Sequence, residues 1–101
     1  MTTFEYETYV ESRCQPYCDP AYTVIALNGE AGEVAEWFKK YVLRGNPTGK
    51  HTLEDLAGEL GDVLFYLTRL ANLYGWSLEE IMERNKAKLD NRVAKGMRSI
   101  A

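Results

Sequence analysis

Two long stretches of this chain carry apolar residues at alternating steps of four and three, and no stretch alternates with period two; the chain can bury its apolar side chains only through helices. Leu27, Ala31, Val34, Phe38 and Tyr41 form the first stripe, and Leu56, Leu60, Val63, Leu67, Leu70 and Tyr74 the second. Local chemistry sets the boundaries. Asp19-Pro20 is an N-cap carboxylate followed by proline at the first helical position, where the missing N–H costs nothing, and a helix should run from there to about Arg44. Gly45-Asn46-Pro47-Thr48-Gly49 breaks the chain. Thr52 with Asp55 opens the next helix in a weak capping box and Gly75 ends it, while Ser77 with Glu80 opens another that runs to about Ala94 before Gly96. Phe4, Tyr6, Tyr9 and Val10 coat one side of a short first helix, Phe4 to about Arg13. The expected fold is all-α: an antiparallel bundle of about four helices forming a single helical domain over residues 1–101.

At 101 residues and 46% hydrophobic, such a bundle has a thin core, yet 12% of the chain is aromatic, with seven tyrosines and two tryptophans. That surplus of apolar surface predicts a homo-oligomer, most simply a dimer, that completes the core. No apolar run approaches the ~20 residues needed to cross a bilayer, and Met1-Thr2-Thr3-Phe4-Glu5 lacks the basic flank of a secretory signal, so the expectation is a cytoplasmic protein without a membrane partner. A net charge of −3 disfavours a nucleic acid polymer as partner and leaves room for a small anion where cations cluster. Cys14 and Cys18 flank Pro16, which argues against a regular helix presenting both thiols on one face; with His51 in another segment they read as two reduced thiols, and His51 itself has no partner visible in the sequence.

The informative motifs are Glu30-x-x-Glu33 and Glu59-x-x-Asp62. Residues three apart on a helix differ by about 60° in direction, so each pair projects to one side, and both pairs border the apolar stripes. Packing the two helices through their stripes brings four carboxylates together, and partly dry like charges need a counter-ion. The nearest basic residues, Lys39, Lys40 and Arg44, lie beyond the first pair, and an all-oxygen set suits Mg²⁺. Gly29, Gly32, Gly58 and Gly61 each precede one of these acids inside a helix, at roughly 1 kcal/mol apiece relative to Ala. They serve either close helix packing or space for a hydrated ion and phosphate.

The segments Leu27-Asn28-Gly29-Glu30-Ala31-Gly32-Glu33-Val34-Ala35-Glu36 and Gly58-Glu59-Leu60-Gly61-Asp62-Val63-Leu64-Phe65-Tyr66-Leu67, with Asn85-Lys86-Ala87-Lys88-Leu89 and Arg92, resemble the MazG-type nucleoside triphosphate pyrophosphohydrolases. The resemblance runs from Leu27 to Gly96. It implies a homodimeric or homotetrameric helical bundle that hydrolyses a nucleoside triphosphate between the α and β phosphates, in nucleotide-pool house-cleaning, with Glu30, Glu33, Glu59 and Asp62 as ligands of Mg²⁺ or, in its place, Mn²⁺. The chain carries one copy of the domain where longer members carry two, which leaves their cellular role out of the reading.

Phosphoryl chemistry asks for charge neutralisation, a positioned anion and an activated water. Glu33 is the first choice for the group that takes the proton from that water, although the sequence does not separate it from Glu30. Asn85, Lys88 and Arg92 share one face of the last helix and suit a polyphosphate, with Lys40 as a further phosphate ligand. Tyr66, one turn after Asp62, and Trp37, one turn after Glu33, are candidates to stack on a base. The competing reading is a non-enzymatic oligomeric module whose acids bind a structural cation or a basic partner.

Overall fold

The computed structural model describes residues 1–98 and 100–101. Among them lie four α-helices and no strand: α1 (Thr3–Cys14), α2 (Pro20–Phe38), α3 (Leu53–Leu73) and α4 (Leu78–Ala94). The start signals act as expected. The Tyr22 N–H donates to Asp19 Oδ1 at 2.8 Å with Pro20 in the first turn. Thr52 and Asp55 form a complete capping box, at 3.1 and 2.9 Å, and so do Ser77 and Glu80, at 3.1 and 3.0 Å. A third box, Thr2 with Glu5, opens α1.

The helix expected to reach Arg44 changes character before its end. From Lys39 to Leu43 it widens into a π turn, in which the Arg44 N–H donates to the Lys39 carbonyl at 2.9 Å. Gly45 and Asn46 then turn left-handed, with φ of 72° and 50°, the latter tolerable for asparagine because its side chain bonds locally. The Asn46 amide donates to the His51 carbonyl at 2.9 Å and accepts from the His51 N–H at 3.2 Å, closing the loop on itself.

α2 and α3 pack antiparallel and form the main helix pair: Trp37 Nε1 donates to the Thr52 carbonyl at 2.8 Å at one end, and the Tyr22 and Tyr66 rings meet at 6.3 Å towards the other. α1 lies against α3, and α4 contacts α3 and α1 but not α2 among the described residues. Glu7 ties these parts together, accepting from Asn72 Nδ2 at 2.8 Å and from the Leu78 N–H at 3.2 Å, at the positive end of α4.

The buried centre is small. Val10, Cys14 and Cys18 form it, with Tyr6, Phe65 and Tyr66 packed around. The turn after α1 brings the two cysteines together despite Pro16, because the Cys18 N–H donates to the Cys14 carbonyl at 3.0 Å. Both thiols are free, and burial, with Cys18 alongside, pushes Cys14 up to about 12. Buried Thr23 and Thr68 satisfy their hydroxyls on the carbonyls of Asp19 and Leu64, each at 2.7 Å, and buried Arg69 donates through Nε to the Cys18 carbonyl at 3.0 Å.

The apolar stripes are only partly covered. Val34, Leu56, Val63, Leu67 and Leu70 are half-buried, but Ala31, Phe38, Leu60 and Tyr74 are exposed, Tyr74 by 66%. One chain presents too few helices to sandwich α2 and α3 from both sides. Leu53 and Leu64 of α3 are exposed as well and extend Leu60 into an outer apolar row. No helix among the described residues is long and apolar enough to cross a membrane.

Candidate functional site

The two acidic pairs face each other across the α2–α3 seam, as the helix periodicity requires. Glu30 of α2 and Glu59 and Asp62 of α3 each bring a carboxylate oxygen within 4.8 Å of the others. Glu33, one turn along α2, stands outside this trio. It is exposed and lines, with Glu59 and Asp62, an open cavity of about 420 Å³ whose wall also carries Trp37, Lys40 and His51. The structure therefore brings three of the four predicted ligands into one group and leaves the fourth beside it.

The trio is electrostatically unsatisfied. None of its members makes an ion pair among the described residues; the basic residues nearest along α2 are engaged by Glu36, which binds Lys39 at 3.0 Å and Lys40 at 4.0 Å. Burial first, then the charges of Asp62, Glu59 and Glu33, push the Glu30 carboxyl above its ordinary value. Lys39 holds the Glu36 carboxyl below its own, chiefly by a hydrogen bond. Three convergent carboxylates without a cation form the hard, all-oxygen donor set that a divalent ion such as Mg²⁺ takes, with open space for its waters.

Because the folded-state Glu30 carboxyl is raised, its contribution to stability is present at low pH and lost as pH rises through that raised value. In metal-free protein Glu30→Gln is thus expected to raise the melting temperature at pH 7 by roughly 1–3 °C, a small step because the site is partly solvated, and by less near pH 4. Thermal unfolding in EDTA across that range checks this; a gain that does not grow with pH contradicts the crowding of charge.

The glycines beside the acids are not there for close packing within the chain. A Cβ at Gly29, Gly32, Gly58 or Gly61 would meet no atom within 4 Å beyond its chain neighbours and the backbone of its own helix.

The other expected site residues divide. Lys40 and Trp37 belong to the acid cavity; the Trp37 ring is held by its bond to Thr52 and by stacking on Tyr41, with centroids 4.8 Å apart. Tyr66 lies on the opposite side of the acids, in a second open cavity of about 630 Å³ that shares Glu30 and Asp62. Asn85, Lys88 and Arg92 line neither cavity. Asn85 faces an apolar cavity of about 660 Å³ with Leu64, Leu67 and Met82, since α4 packs on α3 and α1, away from the α2–α3 seam.

The fold adds residues that the sequence reading passed over. Lys40, Arg44, Lys50 and His51 surround a small cavity of about 170 Å³ that adjoins the acid cavity through Lys40 and His51. Spacing gave no hint of His51, which arrives by loop closure. Tyr6, Tyr9 and Arg13 wall the second cavity, and their steps of three and four along α1 were the available signal, although the two tyrosines read as an apolar coat.

No solved structure matches significantly. The chain is 38% identical over 79 residues, 76% of its length, to the Gene 37 protein of Mycobacterium phage L5, covering 68% of that protein. It is 33% identical over 90 residues, 83% of its length, to the uncharacterized protein YvdC of Bacillus subtilis (strain 168), covering 85% of it. Residues 19–97, which include every acid of the trio and Glu33, match the family model of the MazG nucleotide pyrophosphohydrolase domain, and the chain belongs to that family.

Proposed function

We propose that the protein is a magnesium-dependent nucleoside triphosphate pyrophosphohydrolase: water plus a (deoxy)nucleoside triphosphate gives the monophosphate and pyrophosphate, a reaction suited to clearing unwanted nucleotides from the pool. The observation that carries this is the unpaired trio Glu30, Glu59 and Asp62 at the edge of an open cavity. These three carboxylates would hold Mg²⁺, or Mn²⁺ in its place, with Glu33 one turn along α2 beside them. The ion, when bound, neutralises charge on the phosphates and favours ionisation of the attacking water.

Glu33, exposed beside the trio, would take the proton from that water in this reading; Glu30, crowded by three neighbouring acids, suits ion binding better. Lys40 with Arg44 and Lys50 offers positive charge, and His51 a ring nitrogen for hydrogen bonding, to the departing pyrophosphate. The glycines leave space for phosphate beside each acid.

Asn85, Lys88 and Arg92 lie away from the acids of their own chain, and large apolar side chains stand exposed on α2, α3 and α4. A homodimer or homotetramer accounts for both: the apolar rows cover one another, and α4 of one copy brings its cations to the acids of the next.

Pyrophosphate release from a panel of canonical and modified NTPs and dNTPs tests the reading. Turnover of at least one nucleotide with Mg²⁺ or Mn²⁺, abolished by EDTA, is expected. Uptake of magnesium without pyrophosphate from any nucleotide would overturn the hydrolase and leave a cation-binding interaction module.

A further inference from the structure

Cys14 and Cys18 are the chain's only cysteines, and no step of the proposed reaction uses them. They are free neighbours in the buried centre, with Cys14 fully enclosed and Cys18 7% exposed. The turn between them is closed by the Cys18 N–H, which donates to the Cys14 carbonyl at 3.0 Å. A helical turn closed in that way sets the two Cα atoms about 6 Å apart. Disulfides span about 4.4–6.8 Å, so the separation already suits a bond between the sulfurs. Access differs between the two thiols. Cys18 lines the open cavity that also meets Glu30 and Asp62, whereas Cys14 lies behind it in the core. Burial first, then Cys18 alongside, push the Cys14 thiol up to about 12, so Cys14 stays protonated. Buried Arg69, whose Nε donates to the Cys18 carbonyl at 3.0 Å, sets a positive charge beside the pair.

We propose that Cys18 is a site of reversible oxidation by a peroxide, with Cys14 as the resolving thiol, and that the resulting Cys14–Cys18 disulfide locks the junction between α1 and α2. Hydrogen peroxide transfers one oxygen to the Cys18 sulfur, giving the sulfenic acid and one water. The Cys14 sulfur then attacks the Cys18 sulfur; the S–S bond forms as the S–O bond breaks, and the hydroxyl leaves with the Cys14 proton as a second water. Two thiols lose two electrons and the peroxide gains them. A dithiol reverses the change by exchange. The consequence follows from the packing. α1 rests on α3 and α4, with no packing on α2 among the described residues, so the segment 15–19 alone joins it to α2. Asp19, next to Cys18, starts that helix: its carboxylate accepts from the Tyr22 N–H at 2.8 Å and its carbonyl from the Thr23 N–H at 2.9 Å. A bond across the turn removes freedom at the point where the helix bearing Glu30 begins. Both cysteines precede the segment 19–97 that matches the family, so the pair lies outside the shared domain and does not depend on the hydrolase reading.

The test is peptide mass measurement on the folded protein after hydrogen peroxide and alkylation of the remaining thiols. Trypsin cuts after Arg13 and Lys39, so one methionine-free peptide, residues 14–39, carries both cysteines. It should appear without alkylation and about 2 Da lighter than its reduced form, and dithiothreitol should restore both thiols. Cys14→Ala should stop at a Cys18 sulfenic acid that dimedone captures, whereas in Cys18→Ala the remaining Cys14 should oxidise at least about tenfold more slowly. Amide hydrogen exchange over residues 14–19 should slow about tenfold in the oxidised protein. Two alkylated thiols after peroxide, a sulfonic acid at Cys18 in place of the bond, or a disulfide between two chains overturns the site, and these wild-type outcomes need neither variant to fold. Equal oxidation of the two single variants overturns Cys18 as the point of attack. Unchanged exchange overturns the lock.

Discussion

Glu59→Gln is expected to lower kcat by about 10²–10³-fold or more and to weaken magnesium binding, while the metal-free protein unfolds at the wild-type temperature or slightly above it. The substitution keeps the shape of the side chain and removes one charge from three that lie within 4.8 Å of one another, so the loss falls on the ion and the phosphates and not on the helix pair. Glu33→Gln makes the comparison informative. Its carboxylate stands beside the trio, so turnover should fall comparably while magnesium affinity changes much less. Steady-state kinetics with calorimetric magnesium titration reads both; wild-type turnover in Glu59→Gln removes the metal site, and wild-type turnover in Glu33→Gln removes that residue as the base.

Leu64→Glu should have the largest effect on the folded state. In a single chain Leu64 is 43% exposed and also borders the apolar cavity against α4, so a charge there would cost only about 1 kcal/mol. If the outer row of α3, Leu53, Leu60 and Leu64, is covered by another copy, the same change buries a carboxylate at each copy's interface and forfeits about 2 kcal/mol of apolar burial per chain. The expected result is dissociation to monomer with a melting temperature lower by about 10 °C or more, and a wild-type transition that rises with protein concentration. Analytical ultracentrifugation of both forms decides it. A wild-type monomer at micromolar concentration, or a variant that keeps the wild-type mass and stability, contradicts the oligomer.

What could be read from the residues was whatever chemistry acts locally. Asp19-Pro20, Thr52 with Asp55 and Ser77 with Glu80 each place a helix start because the capping oxygen and its N–H lie within three residues. The acids were legible for a related reason: steps of three on two helices that share a seam leave few ways for Glu30, Glu59 and Asp62 to avoid one another. The π turn after Phe38, the cysteines gathered by the turn at Pro16 and the arrival of His51 at the acid cavity depend on how chain ends and loops close, and no spacing rule encodes that. Tyr9 read as part of an apolar coat, because the stripe reading assigns a helix face to the core, whereas α1 lies against α3 so that Tyr9, with Arg13, borders a cavity. The exposed Phe38, Leu60 and Tyr74 mark the same boundary, since periodicity names an apolar face without saying which molecule covers it.

The two bonds between the Asn46 side chain and the His51 backbone make the segment 46–51 a small ring hung between two helices. A ring cannot sample the shapes open to a free strand, so in the proposed reaction Lys50 and His51 would meet the polyanion with their backbone already arrested. Groups presented that way lose less freedom on capture than the same groups on a slack tether, and a grip on the outer phosphates would gain accordingly.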